Sequence, residues 1–133
     1  MKICVTSMGD NLDSDVDPRF GRCKYFLIID TDSMNVESVS NDGMMASGGA
    51  GIQAAQMVAK TGAGTVITGN VGPNAFQTLT AAGVKVITGV NGSIKDVVDK
   101  FNRGKLEKTE TPSVRSHFGI GGTGRGLGRG RNL

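Results

Sequence analysis

Between Asp17 and Phe26 the chain reads Asp-Pro-Arg-Phe-Gly-Arg-Cys-Lys-Tyr-Phe. Arg19 and Arg22 flank Phe20 and Gly21, and the thiol of Cys23 comes next. Guanidinium groups are planar, permanently charged donors that suit an anion, and a deprotonated cysteine is a soft metal ligand. Pro18 sets its own φ and pushes Asp17 towards extended backbone. Gly21 has access to φ values closed to other residues, so the two arginines can be held in a defined direction. The stretch reads as the lip of a site for an anionic ligand. Cys23 is either part of that lip or a packed residue at the start of a strand.

Other residues invite chemistry and answer it less well. Asp13-x-Asp15-x-Asp17 has the opening spacing of an EF-hand loop, but Pro18 stands where that loop requires glycine and Lys24 where it requires glutamate, which leaves a solvated acidic loop. Cys4 and Cys23 show no Cys-x-x-Cys spacing, so neither a disulfide framework nor a cysteine-only metal cluster is encoded. Cys4, on an apolar strand, reads as core. The Met44-Met45 pair reads as soft thioether ligands or as adaptable packing. His117, the one histidine, is a candidate metal ligand together with Cys23.

Charge and composition limit the function classes. Of 15 Lys and Arg residues, Arg115, Arg125, Arg129 and Arg131 fall beyond residue 112, where none of the 12 Asp and Glu residues lies. The basic character therefore belongs to the end of the chain, and the remainder carries no basic surface of the kind that nucleic acid requires. With 133 residues and 38% hydrophobic content, one domain with a real core is expected. No apolar run is long enough to span a bilayer, and the first residues lack a signal-peptide pattern, so a cytoplasmic protein is expected.

The elements that must position the lip follow from periodicity. Strands are expected at 2–7, 24–30, 36–40, 65–68 and 84–88, the second apolar throughout and so covered on both faces. Helices are expected at 52–60, with Ile52, Ala55, Gln56 and Ala59 on one face and Ser47 or a glycine at the cap, at 74–82 after Pro73, and at 94–102 after Ser93. Ile94, Val97, Val98 and Phe101 recur as an apolar face. After Gly104 the pattern stops. Residues 105–133 form a flexible polar and then Gly/Arg-rich tail, expected to be disordered beside an α/β domain over 1–104.

A hairpin followed by alternating helices and strands, joined by right-handed crossovers, gives a five-stranded mixed sheet with helices on both faces. The first strand is central, which creates a switch point at the carboxyl ends of the strands, where ligands bind in open α/β sheets. That edge gathers Arg19, Phe20, Gly21, Arg22 and Cys23 with the turns holding Gly69, Asn70 and Gly72 and holding Gly89 and Gly92. Two of these turns open helices, whose N–H groups favour an anion; serving tight turns alone is the other reading of the glycines. Neither the dinucleotide fingerprint nor a phosphate loop is present.

Arg19-Phe20-Gly21-Arg22-x-x-Tyr25-Phe26, Val66-Ile67-Thr68-Gly69-x-Val71-Gly72-Pro73-x-Ala75 and Gly83-Val84-x-Val86 together resemble the dinitrogenase iron-molybdenum cofactor biosynthesis family, in its small stand-alone members. The resemblance covers residues 1 to about 103. It implies a ribonuclease-H-like, three-layer α/β/α fold with sheet order 3-2-1-4-5. It also implies a non-catalytic binding or carrier protein for an anionic iron-sulfur or molybdenum-sulfur cluster, exchanging it with donor or acceptor proteins. Cofactor-carrying members commonly have His-Phe-Gly where this chain has Arg19-Phe20-Gly21. Arginine does not deprotonate to coordinate a metal, so position 19 offers charge pairing with a thiometallate.

Two other classes stand beside the carrier. Arg125, Arg129 and Arg131 among glycines resemble RNA-associated segments. A ribonuclease-H-like nuclease would rest on fold analogy, and it needs carboxylates converging at strand ends, whereas the aspartates here cluster in one loop. A monomer is the expected state, although the hairpin edge is open to pairing.

Overall fold

The computed structural model describes residues 1–41 and 49–109. Alternation and apolar mass decide the strands. Lys2–Ser7 (β1) sends Ile3 and Val5 to one face and Cys4 to the other, and Tyr25–Asp30 (β2) is buried along its whole middle. Val36–Ser40 (β3) completes the hairpin with β2. The turn between them is held by the Asp30 carboxylate, which accepts the Asp32 and Ser33 N–H groups at 2.9 and 3.4 Å. Thr65–Ile67 (β4) and Lys85–Ile87 (β5) are short parallel additions. The sheet order is β3-β2-β1-β4-β5, with β1 central and antiparallel to β2.

Among the described residues, three helices cover the sheet. Ala50–Lys60 (α1) and Pro73–Ala81 (α2) share a core with Cys4, Phe26, Ile28, Val66 and Val86. Ile94–Asn102 (α3) presses Ile94, Val97 and Val98 onto Ile3, Val5, Leu27, Ile29 and Ile67 on the opposite face. Each fully buried Ile, Leu or Phe contributes roughly 2 kcal/mol, against about 1 kcal/mol for a helix cap, so the two cores rather than local signals set the layer order. Because β1, β3, β4 and β5 point one way, all three helices begin at one sheet edge.

Two departures from expectation have physical causes. α1 starts two residues early and buries Ala50, Ala54, Ala55 and Val58, while Gln56 is exposed. An alanine-rich helix carries a weak apolar stripe, and contact with the sheet and α2 chose the face. Residues 105–109 do not leave the domain at Gly104. Leu106 packs with the α3 core, and Thr109 donates its N–H to the Val86 carbonyl at 2.7 Å. The outer edge of β5 offers backbone groups that composition does not reveal. Ser47, Met44, Met45 and the tail arginines lie outside the described residues. No helix among the described residues is long and apolar enough to cross a membrane.

Candidate functional site

The lip is stitched to the carboxyl ends of the two central parallel strands. Thr6 Oγ1, at the end of β1, is 2.6 Å from the Asp17 carbonyl and 2.8 Å from Thr68 Oγ1. A hydroxyl has one proton, so Thr6 donates to Asp17 and accepts from Thr68. Asn70 donates its N–H to the Pro18 carbonyl at 2.8 Å, and Phe20 donates to the Asn70 carbonyl at 3.1 Å. Gly69 allows this approach, since a Cβ there would stand 2.7 Å from Pro18 Cα. Gly69 and Asn70 therefore hold the lip rather than line a cavity.

Asp17 is the buried carboxylate of the region. Its Oδ1 accepts the Arg19 N–H at 3.0 Å and Arg19 Nε at 3.3 Å, and this contact raises the guanidinium pKa further. The charge of Arg19 is thus aimed but partly answered within the lip. Arg22 is exposed. Behind the lip, Asn41 at the end of β3 donates from Nδ2 to the carbonyls of Gly21 and Cys23 at 3.1 and 2.9 Å. It holds the turn curled, so that Gly21, with φ +97, lies against the backbone of Gly51 at the start of α1. A side chain at Gly21 would be both strained and crowded.

Cys23 is not presented as a ligand. It is fully buried, and burial first and the Asp17 charge second push its thiol up to about 12, so it stays protonated. Burial likewise raises the Cys4 thiol, with the charge of Cys23 adding to it. Both are free cysteines of the core. Among the described residues, no group of three or more His, Cys, Asp or Glu side chains could hold a metal ion. His117 lies outside them.

What the lip does border is a pocket of about 270 Å³ lined by Phe20, Gly49, Gly51, Ile52, Gly72, Pro73, Asn74 and Ala75. Two helices open onto it. α1 begins at Gly49 and α2 at Gly72, neither with a side-chain cap. The N–H groups of Ala50, Gly51, Ile52, Asn74 and Ala75 donate to no backbone carbonyl of the described residues outside the helices. No described lining residue carries a charge. The result is an uncharged, partly apolar cavity whose polarity comes from two converging helix N-termini.

α3 begins at the same edge and offers nothing comparable. Its first N–H groups are consumed by the Ser14 carbonyl, the Leu12 carbonyl and Ser93 Oγ, at 2.9, 3.1 and 3.2 Å. Gly92 accepts from Val16, and Gly89 donates to Gly69. The fold thus brings Phe20, Gly21 and Gly72 together at the pocket, places Arg19 and Arg22 beside it, and leaves Gly89 and Gly92 at a closed corner. Sequence reasoning missed Gly49, Gly51, Ile52, Asn74, Asp17 and Asn41. The small-residue run before α1 was the signal for the first two; Asp17 and Asn41 gave none, because their burial is tertiary.

The sequence profile of the family described as dinitrogenase iron-molybdenum cofactor matches residues 1–104. Among solved structures, the apo form of the orange protein from Desulfovibrio gigas is 45% identical with a TM-score of 0.82, covering 84% of this chain and 95% of that one. A Thermotoga protein described as a NifB candidate of the DUF35 family is 40% identical with a TM-score of 0.72, covering 84% and 97%. An uncharacterized protein of Methanocaldococcus jannaschii is 32% identical over 96 residues, 70% of this chain and 81% of its own length.

Proposed function

The chain belongs to the dinitrogenase iron-molybdenum cofactor family, and from that premise we propose that it binds and carries an anionic iron-sulfur or molybdenum-sulfur cluster without catalysing a reaction. On this reading it works as a ribonuclease-H-like monomer in the cytoplasm, taking the cluster from a donor protein and releasing it to an acceptor. The observation that carries the proposal is the convergence of the α1 and α2 N-termini, both without side-chain caps, on the uncharged pocket beside Phe20. Sulfide-rich clusters spread their charge over large, weakly hydrated atoms. Backbone N–H groups and the faces of Phe20, Ile52 and Pro73 suit such a surface better than they suit a compact, strongly hydrated oxyanion. A relative described as an apo form presupposes a bound group in that relative, which supports the same reading.

The cargo is held in this account by donors and apolar contact, with Arg19 and Arg22 acting from the rim. The test is anaerobic titration with tetrathiomolybdate, then desalting and metal analysis, on the native chain and on Ile52→Glu. An acidic residue in the first turn of a helix is compatible with the helix dipole, so the variant keeps its fold while repelling an anion from the pocket. Stoichiometric metal on the native chain and none on Ile52→Glu is the expected result, with Arg19→Ala/Arg22→Ala intermediate. Equal retention by native chain and Ile52→Glu would remove the pocket from the account.

A further inference from the structure

We propose that the open edge of β3, with the acidic groove beside it, docks an extended basic segment of a partner protein, which adds to the sheet as a further strand and lays a lysine or arginine side chain into the groove. This goes beyond the carrier reading and does not depend on it. The first observation is which backbone groups the edge offers. Asp30 donates its N–H to the Asn35 carbonyl and Asn41 donates to the Lys24 carbonyl, both at 3.0 Å, so those two pairs bracket the ladder between β2 and β3. Hydrogen-bonded pairs alternate along an antiparallel ladder. Glu37 and Val39 therefore bond through the backbone to Ile28 and Phe26, and Val36, Ser38 and Ser40 turn their N–H and C=O groups outward. Among the described residues, no backbone group pairs with them.

The edge is also unguarded. Exposed edges are commonly blunted by lysine, proline or a bulge, whereas Val36-Glu37-Ser38-Val39-Ser40 holds neither residue and runs in unbroken register with β2. Its side chains offer an incoming strand two different faces. Val36 packs with the α3 core and Val39 with the α1/α2 core. On the α3 face, Val36 and Ser38 form the floor of a groove of about 420 Å³, walled by Asp10, Leu12 and Asp13 of the acidic loop and by Lys95 of α3. The Phe20 pocket belongs to the other face, beside α1 and α2, so an added strand leaves it open.

Charge decides the occupant. Among the described lining residues, the exposed carboxylates of Asp10 and Asp13 stand against the single ammonium of Lys95, which lies 3.9 Å from Asp13, and Glu37 adds an exposed acid on the opposite face of β3. Both faces of an added strand thus meet carboxylates. A lysine or arginine opposite Ser38 points to the α3 face, where Leu12 and Val36 cover its apolar stem while its charged head meets Asp10 and Asp13. In this mode main-chain hydrogen bonds supply affinity and alternate side chains supply specificity. Pairing with a second copy, centred on Ser38, would set two acidic grooves side by side, which like charge opposes.

The experiment titrates the full chain, followed by amide NMR, with a short capped peptide of alternating lysine and valine and with its glutamate/valine counterpart. Two variants go with it: Asp10→Asn/Asp13→Asn, which removes the groove's negative charge, and Ser38→Pro, which removes an outward N–H and leaves the ladder to β2 intact, as proline does on an edge strand. The lysine peptide should shift the amides of Val36, Ser38 and Ser40 more than those of Glu37 and Val39, and the glutamate peptide should not bind. Affinity should fall about tenfold in Asp10→Asn/Asp13→Asn and be lost in Ser38→Pro. Added salt should weaken the native complex more than that of the Asp10→Asn/Asp13→Asn variant. No binding of the lysine peptide, equal binding of the two peptides, or binding that leaves the three outward amides unmoved overturns the proposal. A native chain that sediments as a dimer while Ser38→Pro sediments as a monomer gives the edge to a second copy and overturns it as well.

Discussion

The α1/α2 corner and the α3 corner stand at the same sheet edge and are finished in opposite ways. α1 and α2 begin at glycines beside a pocket, and among the described residues their first N–H groups have no side-chain cap and no backbone partner outside the helices. α3 begins at Ser93, whose hydroxyl caps Asp96, and the acidic loop folds over it so that Ser14 and Leu12 take the remaining donors. All three helices carry the same dipole. Availability of donors, not helix polarity, separates a candidate site from a closed joint, and the loop at 8–16 is what closes one corner only.

That contrast can be broken most sharply at Gly21. Gly21→Ala places a side chain at φ +97 with its Cβ 3.1 Å from Gly51 Cα. The combined backbone strain and crowding should cost about 3 kcal/mol and abolish thiomolybdate loading, read by urea denaturation and by metal analysis. A variant as stable as the native chain would mean that the lip does not bear on α1. Asn41→Ala removes the donor shared by the Gly21 and Cys23 carbonyls, and should cost about 2 kcal/mol while weakening loading, because the lip is no longer held curled.

A third measurement concerns the packing behind the pocket. The folded chain holds the Cys23 thiol up to about 12, above the unfolded value of about 8.5. The folded state keeps this proton longer, so the stability it contributes is fully present below pH ~8.5 and is lost as pH rises towards 12. By pH 10 the loss from Cys23 should be about 2 kcal/mol, visible as a fall in the urea midpoint that is smaller in Cys23→Ala, where only Cys4 of the two buried thiols still titrates. A pH response identical in both chains would mean that Cys23 is not sealed behind the lip. The smallest effect belongs to the closed corner: Ser93→Ala should cost about 1 kcal/mol with thiomolybdate loading unchanged, and a loss of loading there would erase the distinction between the two corners.

Much of the scaffold was legible in residue order. Strand alternation at Ile3-Cys4-Val5, the apolar run of β2, Pro73 at the start of α2 and the Ile94-Val97-Val98 face each carry their structure locally, and right-handed crossover leaves little freedom in sheet order. The site was only half legible. Arg19-Phe20-Gly21-Arg22 was visible because two arginines, an aromatic residue and a glycine together are chemically conspicuous. Their division of labour was not: Phe20 borders the pocket, Gly21 meets Gly51, and Arg19 is held by Asp17.

By itself, then, the sequence determined the elements, the order of the sheet and the edge at which the candidate site lies, because periodicity, turn chemistry and chain connectivity are properties of neighbouring residues. Only the tertiary structure decided which helix ends stay open at that edge. Whether an N–H is free depends on carbonyls that arrive from elsewhere in the chain, such as those of Leu12 and Ser14 over α3, and whether a thiol can act depends on what is packed around it, as at Cys23. Those are distances between residues far apart in sequence, and folding alone sets them.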